Sequence, residues 1–135
     1  MTSVFADAAH YVALILRRDG LHAAALTVGN RLRATPKVTT DAVLVEVLAF
    51  ASNRGAGSRS VASALVDEVV ADPLTTIVHQ SAELFFAGVD LYRRRLDKGY
   101  SLTDCMSMVL CGEQGIADVL THDRHFEQEG FAILL

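Results

Sequence analysis

Short apolar or β-branched runs alternate along this chain with longer segments of helical periodicity, and this alternation restricts the fold more than any other feature. The run Val4–Ala6 ends at Asp7, as expected for a buried parallel strand whose last residue emerges at its carboxyl end. Strands that alternate with helices favour an α/β domain with a mostly parallel sheet and helices on both faces. The predicted strands cover residues 4–6, 38–39, 75–78, 117–121 and 131–134, and the predicted helices cover residues 8–16, 21–33, 41–53, 59–71, 81–92 and 101–113.

Glycine and proline mark the breaks between these segments. Residues 53–58 contain two glycines and form the clearest loop. Residues 17–20 separate the first two predicted helices, and Pro36 and Pro73 follow helices whose hydrogen-bond ladder proline cannot continue. The chain has 135 residues, a hydrophobic fraction of 51% and a mean hydropathy of +0.31, enough for a sizeable core. We therefore expect a single domain over residues 1–135.

Cysteine usage and the absence of apolar spans favour a reducing, cytoplasmic location. Cys105 and Cys111 lie on one helical pattern, about 240° apart around the helix axis, so they are unsuited to a disulfide or a shared metal. The first residues lack the basic segment and long apolar run of a secretory signal. No apolar segment approaches the roughly 20 residues of a membrane helix, so no membrane partner is expected.

Ser101 and Asp104 form a signal for the start of a helix. Ser101 is a favourable N-cap, and an acid three positions later completes a capping box in which Asp replaces the usual Glu. Met106, Val109 and Leu110 follow at helical spacing and point into a core. Local structure alone thus explains Asp104 as a cap that stabilises the positive end of the helix by roughly 0.3–1 kcal/mol.

Three further acids occupy comparable positions in the chain, and together with Asp104 they suggest a shared site in addition to a helix cap. Asp7 ends the first strand, Glu46 borders the apolar face of the helix after the second, and Asp123 follows the fourth. Because the loops after parallel strands gather at one edge of a sheet, we expect these acids to meet Asp104 there. At about 4 Å and an effective dielectric near 20, each pair of carboxylates repels by on the order of 4 kcal/mol. Either several of the carboxyls are protonated or the site binds a cation.

The charge balance is compatible with a cation site. A formal net charge of −4 disfavours a nucleic-acid partner, but the four acids account for the whole imbalance, so bound divalent ions would leave the protein close to neutral. Ten arginines against two lysines add weak support for phosphate contacts, since arginine binds phosphate in a bidentate manner.

An all-oxygen ligand set selects hard ions such as Mg²⁺ or Mn²⁺ over Zn²⁺. These ions activate bound water and stabilise both the entering and the leaving oxygen of an in-line displacement, so phosphodiester hydrolysis is the reaction that fits best. His122 and His125 are three residues apart, but no thiolate or further histidine lies nearby in the sequence. A zinc pair at these histidines is therefore not expected.

Four segments resemble the acidic motifs of PIN-domain proteins, in order and at suitable separations. They are residues 4–7, 40–48, 101–105 and 121–126, so the similarity spans almost the whole chain. Within the family, the chain is similar to the VapC-like toxins and their close bacterial relatives. The resemblance implies a PIN-like three-layer α/β/α sandwich with a mostly parallel sheet of four to five strands. It also implies a magnesium-dependent endoribonuclease acting on single-stranded RNA, with Mn²⁺ as a substitute, homodimers, and a small antitoxin protein that fills the acidic groove.

The resemblance also assigns site residues. Asp7, Glu46 and Asp104 match the core catalytic and metal-binding acids of the family, and Asp123 matches the more variable fourth acid. Ala8 is a departure, because many members carry a Thr or Ser hydroxyl beside the first acid, where it helps to position a metal-bound water.

Other polar and aromatic residues have two interpretations each. Arg124 and Thr103 are the candidates for substrate contacts, although Thr103 is also placed to hydrogen-bond a metal ligand. The basic segment 93–98 either touches RNA phosphates or is a solvated helix end. Tyr11 and Tyr100 either stack on a base or pack in the core or its rim.

Two alternatives to an RNA-cleaving enzyme come from other classes of protein. A catalytically silent PIN-like domain would only bind RNA or a partner protein, and Ala8 is its support in the sequence. A phosphorylated receiver domain also gathers acids at a sheet edge. The receiver is disfavoured because no paired acids follow the first strand and no lysine follows the last strands.

Overall fold

The computed structural model describes residues 2–18 and 20–135, and over these residues the chain forms one sheet of five parallel strands with seven helices. The predicted α/β class with a parallel sheet is confirmed. The strands are β1 (Val4–Ala6), β2 (Lys37–Thr40), β3 (Thr75–Val78), β4 (Asp118–Leu120) and β5 (Ala132–Ile133). The helices are α1 (Ala8–Ile15), α2 (Gly20–Arg31), α3 (Asp41–Ser52), α4 (Ala56–Ala71), α5 (Ala82–Arg94), α6 (Leu102–Gln114) and α7 (His125–Gln128).

The strand order β3-β2-β1-β4-β5 determines where the helices lie. The chain passes from β1 to β2 to β3 in one direction, and right-handed crossovers place α1 to α4 on one face. It then returns across the sheet to β4, which places α5 and α6 on the other face. The contacts agree, since α1 packs on α2, α3 and α4, while α5 packs on α6. The direction of the connections reverses between β1 and β4, where open α/β sheets form a ligand-binding crevice.

The strands that flank this crevice contribute fully buried residues to the core. Phe5 and Ala6 of β1 and Val119 and Leu120 of β4 are inaccessible to solvent. Near-continuous apolar strands of this kind are typical of a parallel sheet covered on both faces. None of the described helices is long and apolar enough to cross a membrane.

Helix α6 sits unusually close to α5. A Cβ atom added at Gly88 of α5 would lie 2.5 Å from Cγ of Met106, so only glycine fits without a shift of its neighbour. The close approach fixes the part of α6 that follows Asp104.

Several predicted boundaries differ from the structure. Helix α4 begins at Ala56 rather than residue 59. Of the two glycines in this loop, Gly55 alone adopts a positive φ, of 93°, whereas Gly57 lies inside the first turn of the helix. Strands β4 and β5 are shorter than predicted and β2 is longer. The predicted break at residues 17–20 includes Asp19, which, like Met1, lies outside the described residues.

Candidate active site

Asp7 lies at the crevice between β1 and β4. It follows β1 directly, precedes α1, and is only 4% exposed. Its backbone N–H donates to the carbonyl oxygen of Leu120 at 3.2 Å, and its Oδ2 accepts a hydrogen bond from the Thr121 hydroxyl at 2.9 Å. The first acid is therefore held against the carboxyl end of β4.

Thr121 joins two of the predicted site acids. Its side chain is inaccessible to solvent, and its hydroxyl oxygen also accepts a hydrogen bond from the backbone N–H of Asp123 at 3.0 Å. We assigned Thr121 no role from the sequence. The signal available was a threonine at a predicted strand end, two residues before an acid. Thr121 supplies Asp7 with a hydroxyl partner, although Ala8 carries none.

Replacing Thr121 with Val is expected to lower the free energy of unfolding by about 1–3 kcal/mol, because the buried Asp7 carboxyl and the Asp123 N–H both lose a hydrogen-bond partner. Urea denaturation at neutral pH measures the change. Thr27→Val is the matched control, because the Thr27 hydroxyl is exposed and bonds only within its own helix, to the Ala23 carbonyl. Equal stability of both variants would contradict the bridging role of Thr121.

Asp104 is both a helix cap and a buried member of the site. Its Oδ2 accepts from the Ser101 backbone N–H at 3.0 Å, and its own N–H donates to the Ser101 hydroxyl at 3.1 Å. The predicted capping box is thus confirmed. Asp104 is 8% exposed and sits at the positive end of α6.

Glu46 reaches the same place from α3. It is partly buried, at the border of the apolar face, as its helical position predicted. The Thr103 side chain hydrogen-bonds its carboxylate. Thr103 therefore contacts a site acid, which is the second of the two interpretations made from the sequence.

Electrostatic interactions link the four predicted acids. Burial raises the pKa of Asp7 to about 7; the Thr121 hydrogen bond opposes this rise, and the charges of Asp104 and Glu46 add to it. Burial also raises the pKa of Glu46, and the carboxylates of Asp104 and Asp123 raise it further, against the hydrogen bond from Thr103. The charges of Asp104, Glu46 and Asp123 thus act on neighbouring acids of this group.

The pKa of Asp104 is raised in the same way. Burial raises its pKa, the Ser101 backbone hydrogen bond lowers it, and the charge of Asp123 raises it. A nearby imidazole, that of His125, opposes the rise in pKa. Ionising all the acids at neutral pH is therefore unfavourable unless positive charge is supplied, and carboxylate oxygens are the ligands that hard divalent cations prefer. The residues present fit such an ion.

His125 belongs to this cluster as well. Its backbone N–H donates to Asp123 Oδ1 at 2.9 Å, and its Nδ1 lies 3.2 Å from Asp123 Oδ1 and 3.6 Å from Asp104 Oδ2. Within the described part of the chain, Asp104, Asp123 and His125 offer potential ligand atoms that all lie within 4.8 Å of one another. The sequence predicted no metal-binding role for His125 or His122. The overlooked signal was a histidine two residues after a candidate metal ligand.

The remaining candidate residues have other contacts or are buried. Arg124 is exposed and its Nε lies 3.1 Å from Glu127 Oε1 in the same turn.

Tyr11 and Tyr100 are 5% and 4% exposed, so the base-stacking interpretation is wrong and packing explains both residues. In the basic segment 93–98, three cations pair with acids: Arg94 with Asp90, Arg95 with Glu129, and Lys98 with Asp97.

The model of the PIN domain family matches residues 4–131 of the chain. The protein therefore belongs to the PIN-domain family, and the predicted membership and PIN-like fold are confirmed.

Among solved structures, the chain is similar to VapC20 of Mycobacterium tuberculosis, which is described as a sarcin-ricin loop cleaving toxin. The two share 24% sequence identity over 96% of each chain, with a TM-score of 0.80, so the likeness concerns the fold. No curated protein matches the sequence.

Proposed function

We propose that this protein is a metal-dependent endoribonuclease that hydrolyses phosphodiester bonds in single-stranded RNA. One observation supports this most strongly: four acids from separate segments converge beside the β1–β4 crevice, where burial and mutual repulsion raise the pKa of Asp7 to about 7. Such a cluster is costly without a cation. In a PIN domain, the cation and its bound water suit phosphodiester cleavage.

In this proposal Asp7, Glu46, Asp104 and Asp123 are the catalytic and metal-binding acids. They hold Mg²⁺, or Mn²⁺ as a substitute, and the ion supplies activated water and charge stabilisation at the phosphate. The chain's own contribution is to hold the carboxylates in place. Thr121, Ser101 and Thr103 hydrogen-bond Asp7, Asp104 and Glu46, respectively.

The biological setting we propose is that of a toxin in a toxin–antitoxin pair. The fold likeness to VapC20, itself described as a sarcin-ricin loop cleaving toxin, supports this. In that setting the protein acts in the cytoplasm, forms homodimers, and is neutralised by a small antitoxin. A short neighbouring reading frame encoding a DNA-binding segment would support the pairing. Arg124, exposed beside Asp123, is the proposed phosphate contact.

The alternative is a PIN domain that binds RNA or a partner protein without cleaving it. Ala8 was the support for this alternative in the sequence. The Thr121 hydroxyl, 2.9 Å from Asp7 Oδ2, weakens that support because a hydroxyl lies beside the first acid after all.

Cleavage of a synthetic single-stranded RNA tests the proposal. We expect endonucleolytic products with Mg²⁺ or Mn²⁺, none with excess EDTA, and recovery when the ion is restored. RNA binding without cleavage in any divalent ion would instead support the silent alternative. Cleavage that persists in EDTA would contradict a metal-dependent mechanism.

A further inference from the structure

The Nδ1 atom of His125 is the least explained polar atom beside the acidic cluster. It is shielded from solvent and, among the described residues, has no hydrogen-bond partner of suitable geometry. Two carboxylate oxygens nevertheless lie close, Asp123 Oδ1 at 3.2 Å and Asp104 Oδ2 at 3.6 Å. A nitrogen placed between two carboxylates without a hydrogen bond to either is a candidate to bind the same cation as the carboxylates.

The distances fit a shared metal ion. Hard divalent ions in octahedral sites bind their ligands at about 2.1 Å, so neighbouring ligand atoms lie about 3 Å apart. The separations of 3.2 Å and 3.6 Å from Nδ1 to the two oxygens are close to this spacing.

The imidazole is also held in a fixed position. Its backbone N–H is bonded to Asp123 Oδ1, and its ring packs edge-on against Tyr100 with the ring centroids 5.4 Å apart. Gly99 leaves room for the ring, since a Cβ there would approach His125 Nε2 to 3.2 Å. A ligand positioned in advance in this way loses little freedom when an ion binds.

We propose that His125 Nδ1 is a direct ligand of the divalent ion, beside Asp104 and Asp123, and that it makes the site prefer Mn²⁺ to Mg²⁺. The inference rests on the metal site of the proposed function. Imidazole nitrogen favours transition-metal ions over Mg²⁺, whereas carboxylate and water oxygens suit Mg²⁺ and Mn²⁺ alike. The sequence predicted an all-oxygen site, and this nitrogen changes the expected selectivity.

Pulsed electron paramagnetic resonance of the Mn²⁺-loaded full chain tests the direct bond. We expect the modulation characteristic of a bound ¹⁴N imidazole, and its replacement by a ¹⁵N pattern when the protein is made with ¹⁵N-histidine. His125→Phe keeps an aromatic ring against Tyr100 and should abolish the signal. His122→Phe is the matched control, because His122 is exposed, three residues away, and should leave the signal unchanged.

Calorimetric titration tests the selectivity. We expect His125→Phe to weaken Mn²⁺ binding at least about tenfold and Mg²⁺ binding less, whereas His122→Phe changes neither. His125→Gln serves as a second variant if the Phe protein does not fold. The wild-type isotope experiment decides the question without either variant.

Two negative results have different meanings. Stoichiometric Mn²⁺ binding without nitrogen coupling in the wild-type protein would overturn the role of His125 as a ligand, and would leave the proposed ribonuclease intact. Failure of Mn²⁺ and Mg²⁺ to bind at all would overturn the metal site, and the inference with it.

Discussion

Replacing Asp104 with Asn is expected to lower the single-turnover rate constant for RNA cleavage by about 10²- to 10³-fold. The change removes one negative charge from the site of the proposed ion, where several kcal/mol of charge stabilisation are at stake. The fold should survive, because the Asn side-chain oxygen still accepts the hydrogen bond from the Ser101 N–H that Asp104 Oδ2 accepts now. Single-turnover cleavage at saturating Mg²⁺ measures the effect.

Asp90→Asn is the matched control for this experiment. Asp90 lies on α5, is exposed, and pairs with Arg94 at 3.1 Å, so its loss should leave cleavage unchanged. The predicted pattern is a large loss for Asp104→Asn and none for Asp90→Asn. Cleavage by Asp104→Asn at the wild-type rate would contradict the site assignment.

Replacing Asp7 with Asn is expected to stabilise the metal-free protein at pH 7.5, by about 2–4 kcal/mol. The carboxyl of Asp7 has an ordinary pKa of 3.8, which burial and the neighbouring acids raise to about 7 in the folded state. A tenfold difference in proton affinity between the folded and unfolded states corresponds to about 1.4 kcal/mol. Asparagine keeps an oxygen for the Thr121 hydroxyl but has no charge to desolvate.

The pH dependence of stability follows from the same raised pKa. Between about pH 4 and 7 the folded protein holds a proton on Asp7 that the unfolded chain has released. Wild-type stability in EDTA should therefore fall as the pH rises through this window, and the difference from Asp7→Asn should vanish below pH 4. Urea denaturation at several pH values measures both effects.

Asp67→Asn, at an exposed position on α4, is the control for the stability series and should show no comparable gain. Adding Mn²⁺ should reverse the order, because an ion that binds only the folded wild-type site stabilises it by mass action. Lower stability of Asp7→Asn than wild type at pH 7.5 in EDTA would contradict an uncompensated carboxylate at this position.

The sequence predicted the parts of the site that depend on local signals. Asp7 ends an apolar strand, and Asp104 forms a capping box with Ser101, and both patterns are visible within a few residues. The convergence of the acids followed from a general property of parallel sheets, whose strand ends gather at one edge. It required no knowledge of the strand order.

Thr121 and His125 could not be assigned in that way. The role of Thr121 arises because β4 pairs with β1, strands separated by more than one hundred residues in the sequence. The position of His125 beside Asp104 depends on the approach of α7 to α6, and the spacing of His125 from Asp123 in the sequence does not reveal that approach. The start of α4 was misjudged for a different reason, since glycine permits a loop without requiring one, and Gly57 is helical.

Asp104 illustrates how local and tertiary explanations combine. Capping alone accounts for an acid at that position, and both capping hydrogen bonds are present. Burial and the nearby charge of Asp123, which raise its pKa, are consequences of the tertiary structure. A residue can therefore satisfy a local rule and belong to a functional site at the same time.

Anomalous diffraction from a crystal grown with Mn²⁺ tests the proposed metal site most directly. We expect an anomalous peak within about 2.5 Å of oxygen atoms from at least two of Asp7, Glu46, Asp104 and Asp123. A crystal containing Mn²⁺ with no peak among these four carboxylates, at concentrations that support RNA cleavage, would contradict the site.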